Sequence, residues 1–95
     1  VDIRNLTVMS YYELNYTEPA LSMIDSYKHF ITGSKNMSEV FRESHLRFIN
    51  SLHSLIIHKG KSNKDKLTEL KLKLLPLKND RRSLWMISKI DELLK

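Results

Sequence analysis

The sequence predicts an all-α fold of about five antiparallel helices, and three observations carry that prediction. Apolar residues recur every three to four positions along nearly the whole chain. Two glycines and two prolines are too little turn chemistry for many short strands. The breaks that do occur, at Asn15, Gly33, Gly60 and Pro76, separate the periodic segments at helix-length spacing. With 95 residues the chain makes one all-helical domain, or the C-terminal fragment of a larger helical protein. A single modest core can form at this size without disulfide or metal staples.

Taken in order, residues 2–14 carry Ile3, Leu6, Val8, Tyr11 and Leu14 at mixed spacing, which predicts a helix with an indistinct apolar face. Asn15-Tyr16-Thr17 breaks it, with Thr17 placed as the cap of the next helix and Pro19 tolerated in its first turn. Over 19–32 the stripe Ala20, Ile24, Tyr27, Ile31 is regular, with Met23 and Phe30 beside it, and Gly33 stops the helix. Ser38 caps the longest segment, 38–59, whose apolar residues Val40, Phe41, Leu46, Phe48, Ile49, Leu52, Leu55, Ile56 and Ile57 cover more than half its circumference. Gly60 ends it. Ser62 or Asn63 caps a helix over 63–75 with Leu67, Leu70, Leu74 and Leu77 at near-heptad spacing, and Pro76 terminates or kinks it. Asn79-Asp80 caps the last helix, 81–94, with the stripe Leu84, Ile87, Ile90, Leu94 and with Trp85 and Met86 alongside.

The composition excludes several chemistries. Without cysteine there is no disulfide framework, thiolate zinc site or thiol nucleophile, and a reducing, cytoplasmic setting fits. No apolar run approaches the roughly 18 residues of a membrane span, so no membrane partner is expected. His29, His45, His53 and His58 never stand three or four apart, as a helical zinc pair requires, so they read as structural or surface residues. No Gly-x-Ser-x-Gly elbow, Ser-x-x-Lys setting or glycine-rich phosphate loop occurs. No catalytic residue, metal or cofactor is predicted. Three Asn-x-Ser/Thr triplets, at Asn5, Asn15 and Asn36, would matter only in a secreted eukaryotic protein.

Charge is unevenly spread. Residues 1–57 carry five Lys and Arg against six Asp and Glu, net −1. Residues 58–82 carry Lys59, Lys61, Lys64, Lys66, Lys71, Lys73, Lys78, Arg81 and Arg82 against Asp65, Glu69 and Asp80, net +6. Such a segment can hold phosphates by Coulomb attraction and counterion release, which makes a basic nucleic-acid-binding helix domain the alternative reading. It has no interleaved aromatics and no groove-entering motif, so a solvated face or an acidic partner accounts for it better. Trp85, the single tryptophan, reads as core, with anchoring of a partner as its alternative role.

Tyr11-Tyr12-Glu13-Leu14-Asn15-Tyr16-Thr17-Glu18-Pro19-Ala20, continuing to Ile24 and Tyr27, resembles the helix–turn–helix of a tetratricopeptide-type repeat. Asn15 stands where glycine is usual and can take the same left-handed backbone; Tyr27 stands where a small residue is usual. The resemblance covers about residues 3–32. More loosely, the chain is similar to the C-terminal helical region of bacterial repeat proteins of uncharacterised activity. The resemblance implies an α-α superhelix type of architecture, a repeat-like hairpin followed by a small bundle. It also implies an N-terminal remainder of the same parent chain, stacked on the first helix, which the absent start methionine and the indistinct face of 2–14 would fit. The expected function is a non-catalytic scaffold that binds a protein partner or a second copy of itself.

Overall fold

The computed structural model describes residues 3–95, with side chains from Asn5 onward. It contains five α-helices: α1 (Ile3–Glu13), α2 (Thr17–Gly33), α3 (Glu39–Gly60), α4 (Lys64–Leu74) and α5 (Arg81–Leu94), with a 3₁₀ turn at Leu75–Leu77. No strand occurs among the described residues. The fold is all-α, and residues 39–60 form one continuous helix of roughly 33 Å. Among the described residues no helix is long and apolar enough to cross a membrane.

The chain divides into two compact units, residues 1–49 and 50–95, and the boundary falls inside α3. In the first unit α1 packs closely on α2. The predicted stripe of α2 (Ala20, Ile24, Tyr27, Ile31) is fully buried. Against expectation, α1 does have a defined inner face, made by Asn5, Val8 and Tyr12 at helical spacing, while Leu6 and Leu14 point outward. The inner face was hard to read because a polar Asn and a tyrosine hold two of its three positions.

The turn between α1 and α2 explains the local tyrosines. The Tyr16 N–H donates to the Tyr11 carbonyl at 2.9 Å and the Asn15 N–H to the Tyr12 carbonyl at 3.1 Å, with Asn15 at φ 60°. This is a Schellman motif, and the Tyr11 and Tyr16 rings, 6.2 Å apart, supply the apolar contact that accompanies it. The same motif ends α3, where the Asn63 N–H reaches the His58 carbonyl and the Ser62 N–H the Lys59 carbonyl, with Ser62 at φ 52°. Gly60 therefore does not supply the left-handed residue; Ser62 does. Nor does Thr17 cap α2: it is the first helical residue, and Tyr16 occupies the cap position with no side-chain bond.

Ser38 accepts from the Phe41 N–H at 3.2 Å, and Asn63 from the Lys66 N–H at 3.1 Å, as N-caps do. In the second unit α4 packs closely on α5. Leu67, Leu70 and Leu74 face inward, Pro76 sits in the 3₁₀ turn that ends α4, and Lys71 Nζ bonds Asp91 Oδ1 at 2.6 Å. The inner face of α5 is Ser83, Met86, Ile87 and Ile90: the predicted Ile87 and Ile90 are buried, Ser83 takes the first-turn position, and Leu84 is exposed. Fully buried Leu52, Leu55, Leu74 and Ile90 each contribute about 1.5–3 kcal/mol.

Candidate functional site

The predicted basic residues all lie in the second unit, which carries net +6, while residues 1–49 carry net −1. They do not form one stripe. Successive helix positions turn by about 100°, so Lys64 and Lys71 stand on one flank of the buried leucine row of α4 and Lys66 and Lys73 on the other. Asp65, Thr68, Glu69 and Leu72 occupy the crest between those flanks. Lysines placed this way cover the edges of a core with their stems and keep the ammonium in water.

Several of these cations are engaged. Lys66 Nζ lies 3.4 Å from Glu69, Lys71 is bound to Asp91, and Arg82 grips Asp80 at 2.8 Å. Asp80 also accepts from the Arg82 N–H at 2.9 Å and so caps α5. Its side-chain bond with Arg82 is the main cause holding the carboxyl below its ordinary range, against desolvation. Lys61, Lys64, Lys73, Lys78 and Arg81 have no ion pair among the described residues. Lys59 is half-buried at the end of α3. Trp85 is half-buried, with Lys89 Nζ 5.9 Å from its ring centroid.

The histidines separate. His29 is exposed and lies 3.6 Å from Asp25, one turn earlier; His53 is exposed; His58 is half-buried, and its Nδ1 has no hydrogen-bond partner among the described residues. His45 is buried, with Nδ1 3.3 Å from the Tyr27 hydroxyl and the Phe41 ring edge-on at 4.0 Å. Among the described residues no three His, Asp or Glu side chains converge as metal ligands. Of the three glycosylation-like triplets, Asn5 is buried, whereas Asn15 and Asn36 are exposed in turns.

Arg42 is the residue that sequence reasoning missed. Its guanidinium donates to the backbone carbonyls of Ile31, Ser34 (2.7 Å) and Met37 (3.4 Å), and Nε faces Glu39 at 3.5 Å. A cation here meets the negative end of α2 and satisfies carbonyls the helix leaves open. It thereby fixes the 34–38 turn, beside which Ser34, Asn36, Met37, Ser38 and Phe41 line an open depression. Five residues around an open hollow cannot enclose the 70–90% of a small ligand that such sites usually bury.

Apolar side chains are exposed on both units. Leu6 on α1 and Leu14 just past its end, whose N–H still donates to the Ser10 carbonyl, are 52% and 57% exposed and share a face with Ser10, four positions from each. This face is opposite Val8 and Tyr12. Val40, 81% exposed, begins α3 beside Phe41, and Leu72, Leu75 and Leu84 surround the junction of α4 and α5. A signal for the α1 face was present in the sequence, in the two unaligned apolar rows, but not which row would turn inward. No protein-family model matches the chain, and no curated protein and no solved structure matches it either.

Proposed function

We propose that this chain is a non-catalytic interaction module, built as a helical-repeat element, which binds another protein or a second copy of itself through the outer face of α1. The observation that carries this reading is the row Leu6, Ser10, Leu14, exposed along α1 and the turn residue that follows it, on the side away from the face packed on α2. Covering two half-exposed leucines contributes about 1 kcal/mol each, and aligned helices bury further surface around them. The repeat character is supported by the α1–α2 hairpin itself, with Asn15 left-handed in its turn and Ala20, Ile24 and Tyr27 inside. Size exclusion with light scattering, together with pull-down, tests it. The wild type should self-associate or capture a partner, and Leu6→Glu with Leu14→Glu should abolish this with the fold intact. A monomer that captures nothing at micromolar concentration counts against it.

A second reading is nucleic-acid binding by the second unit, favoured by its net +6 and its unpaired Lys61, Lys64, Lys73, Lys78 and Arg81. Against it stands the division of the α4 lysines between two flanks. Fluorescence anisotropy with DNA and RNA over a salt series discriminates, because phosphate contact must weaken steeply with salt.

A further inference from the structure

The junction between α4 and α5 adds exposed leucines, which neither reading above uses, to cations of the basic segment. The last turn of α4, the 3₁₀ turn and the first turn of α5 expose Leu72 (61%), Leu75 (39%) and Leu84 (50%). Interleaved with them are Lys73, Lys78 and Arg81, exposed and without an ion pair among the described residues. From Lys71 to Asn79 there is no carboxylate, and Asp80 is occupied by Arg82. At the end of α4, past Glu69 on the same crest, Leu72 stands about 100° from Lys73, while Lys71 on its other side is paired with Asp91, so the free cationic edge is Lys73 with Lys78 and Arg81 beyond it.

We propose that this corner docks on an anionic lipid surface, the leucines entering the headgroup boundary while Lys73, Lys78 and Arg81 meet lipid phosphates and carboxylates. Charge complementarity favours this occupant, and the leucines separate it from nucleic acid, which would satisfy the cations and leave the apolar side chains in water. The expectation of no membrane partner rested on the length needed for a span. Surface docking needs no span, only a basic and apolar patch.

The test is cosedimentation of the full chain with vesicles of phosphatidylcholine alone and of phosphatidylcholine with about 30% phosphatidylserine, at about 0.1 M salt. Binding is expected to the anionic vesicles only. Each cation near such a surface is worth about fivefold, so Lys73→Glu, Lys78→Glu and Arg81→Glu together should weaken binding at least about a hundredfold. Leu72→Ser with Leu84→Ser, both at exposed positions, should weaken it about tenfold without changing charge. Circular dichroism of each variant confirms its fold, and Leu72→Ser alone serves if the pair perturbs it. No binding to anionic vesicles, equal binding to neutral ones, or an unchanged triple variant would overturn the proposal. Leucine variants that bind as tightly as the wild type would overturn it too, in favour of a polyanion held by charge alone.

Discussion

The Arg42 guanidinium donates to the Ser34 backbone carbonyl at 2.7 Å, so a side chain of α3 closes the end of α2. Gly33 and the polar residues after it show only that a turn is present. Arg42 determines which turn it is, by holding the carbonyls of Ile31, Ser34 and Met37 on one planar donor. Charge-assisted bonds to part-buried carbonyls are worth about 1.5–3 kcal/mol. Arg42→Ala is therefore expected to destabilise by about that amount in urea unfolding. Arg42→Lys should recover little of it, because an ammonium cannot span the same acceptors.

The two left-handed residues give a graded series. Serine tolerates φ 52° less well than asparagine tolerates φ 60°, because only asparagine visits that region readily. Ser62→Gly is expected to stabilise by about 0.5–1 kcal/mol and Asn15→Gly by less. Gly60 is helical, has no positive φ, and a Cβ there would meet open space. Gly60→Ala should accordingly stabilise by about 0.5–1 kcal/mol, and thermal melts of the three variants check the order.

Asp80 makes the stability of α5 pH-dependent. Its folded pKa lies below the ordinary aspartate value, chiefly through its bond with Arg82. The contribution is thus present above the unfolded value and is lost as pH falls through the folded one. Asp80→Ala should cost about 1 kcal/mol near neutral pH by removing the cap. Asp80→Asn keeps a cap oxygen and should differ from the wild type near neutral pH but converge with it at low pH. Denaturation midpoints taken across that acidic range check both.

Tyr27 is 1% exposed, and its hydroxyl faces His45 Nδ1 at 3.3 Å in the first unit. Tyr27→Phe preserves the ring and leaves a buried imidazole nitrogen without that hydroxyl. A loss of about 0.5–1.5 kcal/mol, the net worth of one hydrogen bond, is expected in chemical unfolding.

The helices were legible because each long segment repeats one row of apolar residues, and the α2 row Ala20, Ile24, Tyr27, Ile31 is buried as read. The rows of α1 and α5 differ in part from the reading, for a common reason, although Val8, Ile87 and Ile90 are buried as read. Each helix offers two overlapping rows, and packing chose the one containing a polar residue, Asn5 in α1 and Ser83 in α5, leaving Leu6 and Leu84 outside. Periodicity ranks residues by polarity and cannot weigh the shape of a neighbouring helix. The basic segment was legible as composition, but its division into two flanks of α4 followed only once Leu67, Leu70 and Leu74 fixed the inward side. The i,i+3 pairing with Glu39 is the local signal that Arg42 leaves, and it does not reveal the capping role, because the carbonyls it holds lie five to eleven residues earlier.

The interaction reading is tested most directly by a photo-reactive residue placed at position 6, with position 28 on α2 as the exposed control. Irradiation in a cell extract or at high protein concentration should yield a discrete adduct, a dimer or one partner species, from position 6 and none from position 28. No adduct from position 6, or the same diffuse labelling from both positions, would contradict a docking face on α1.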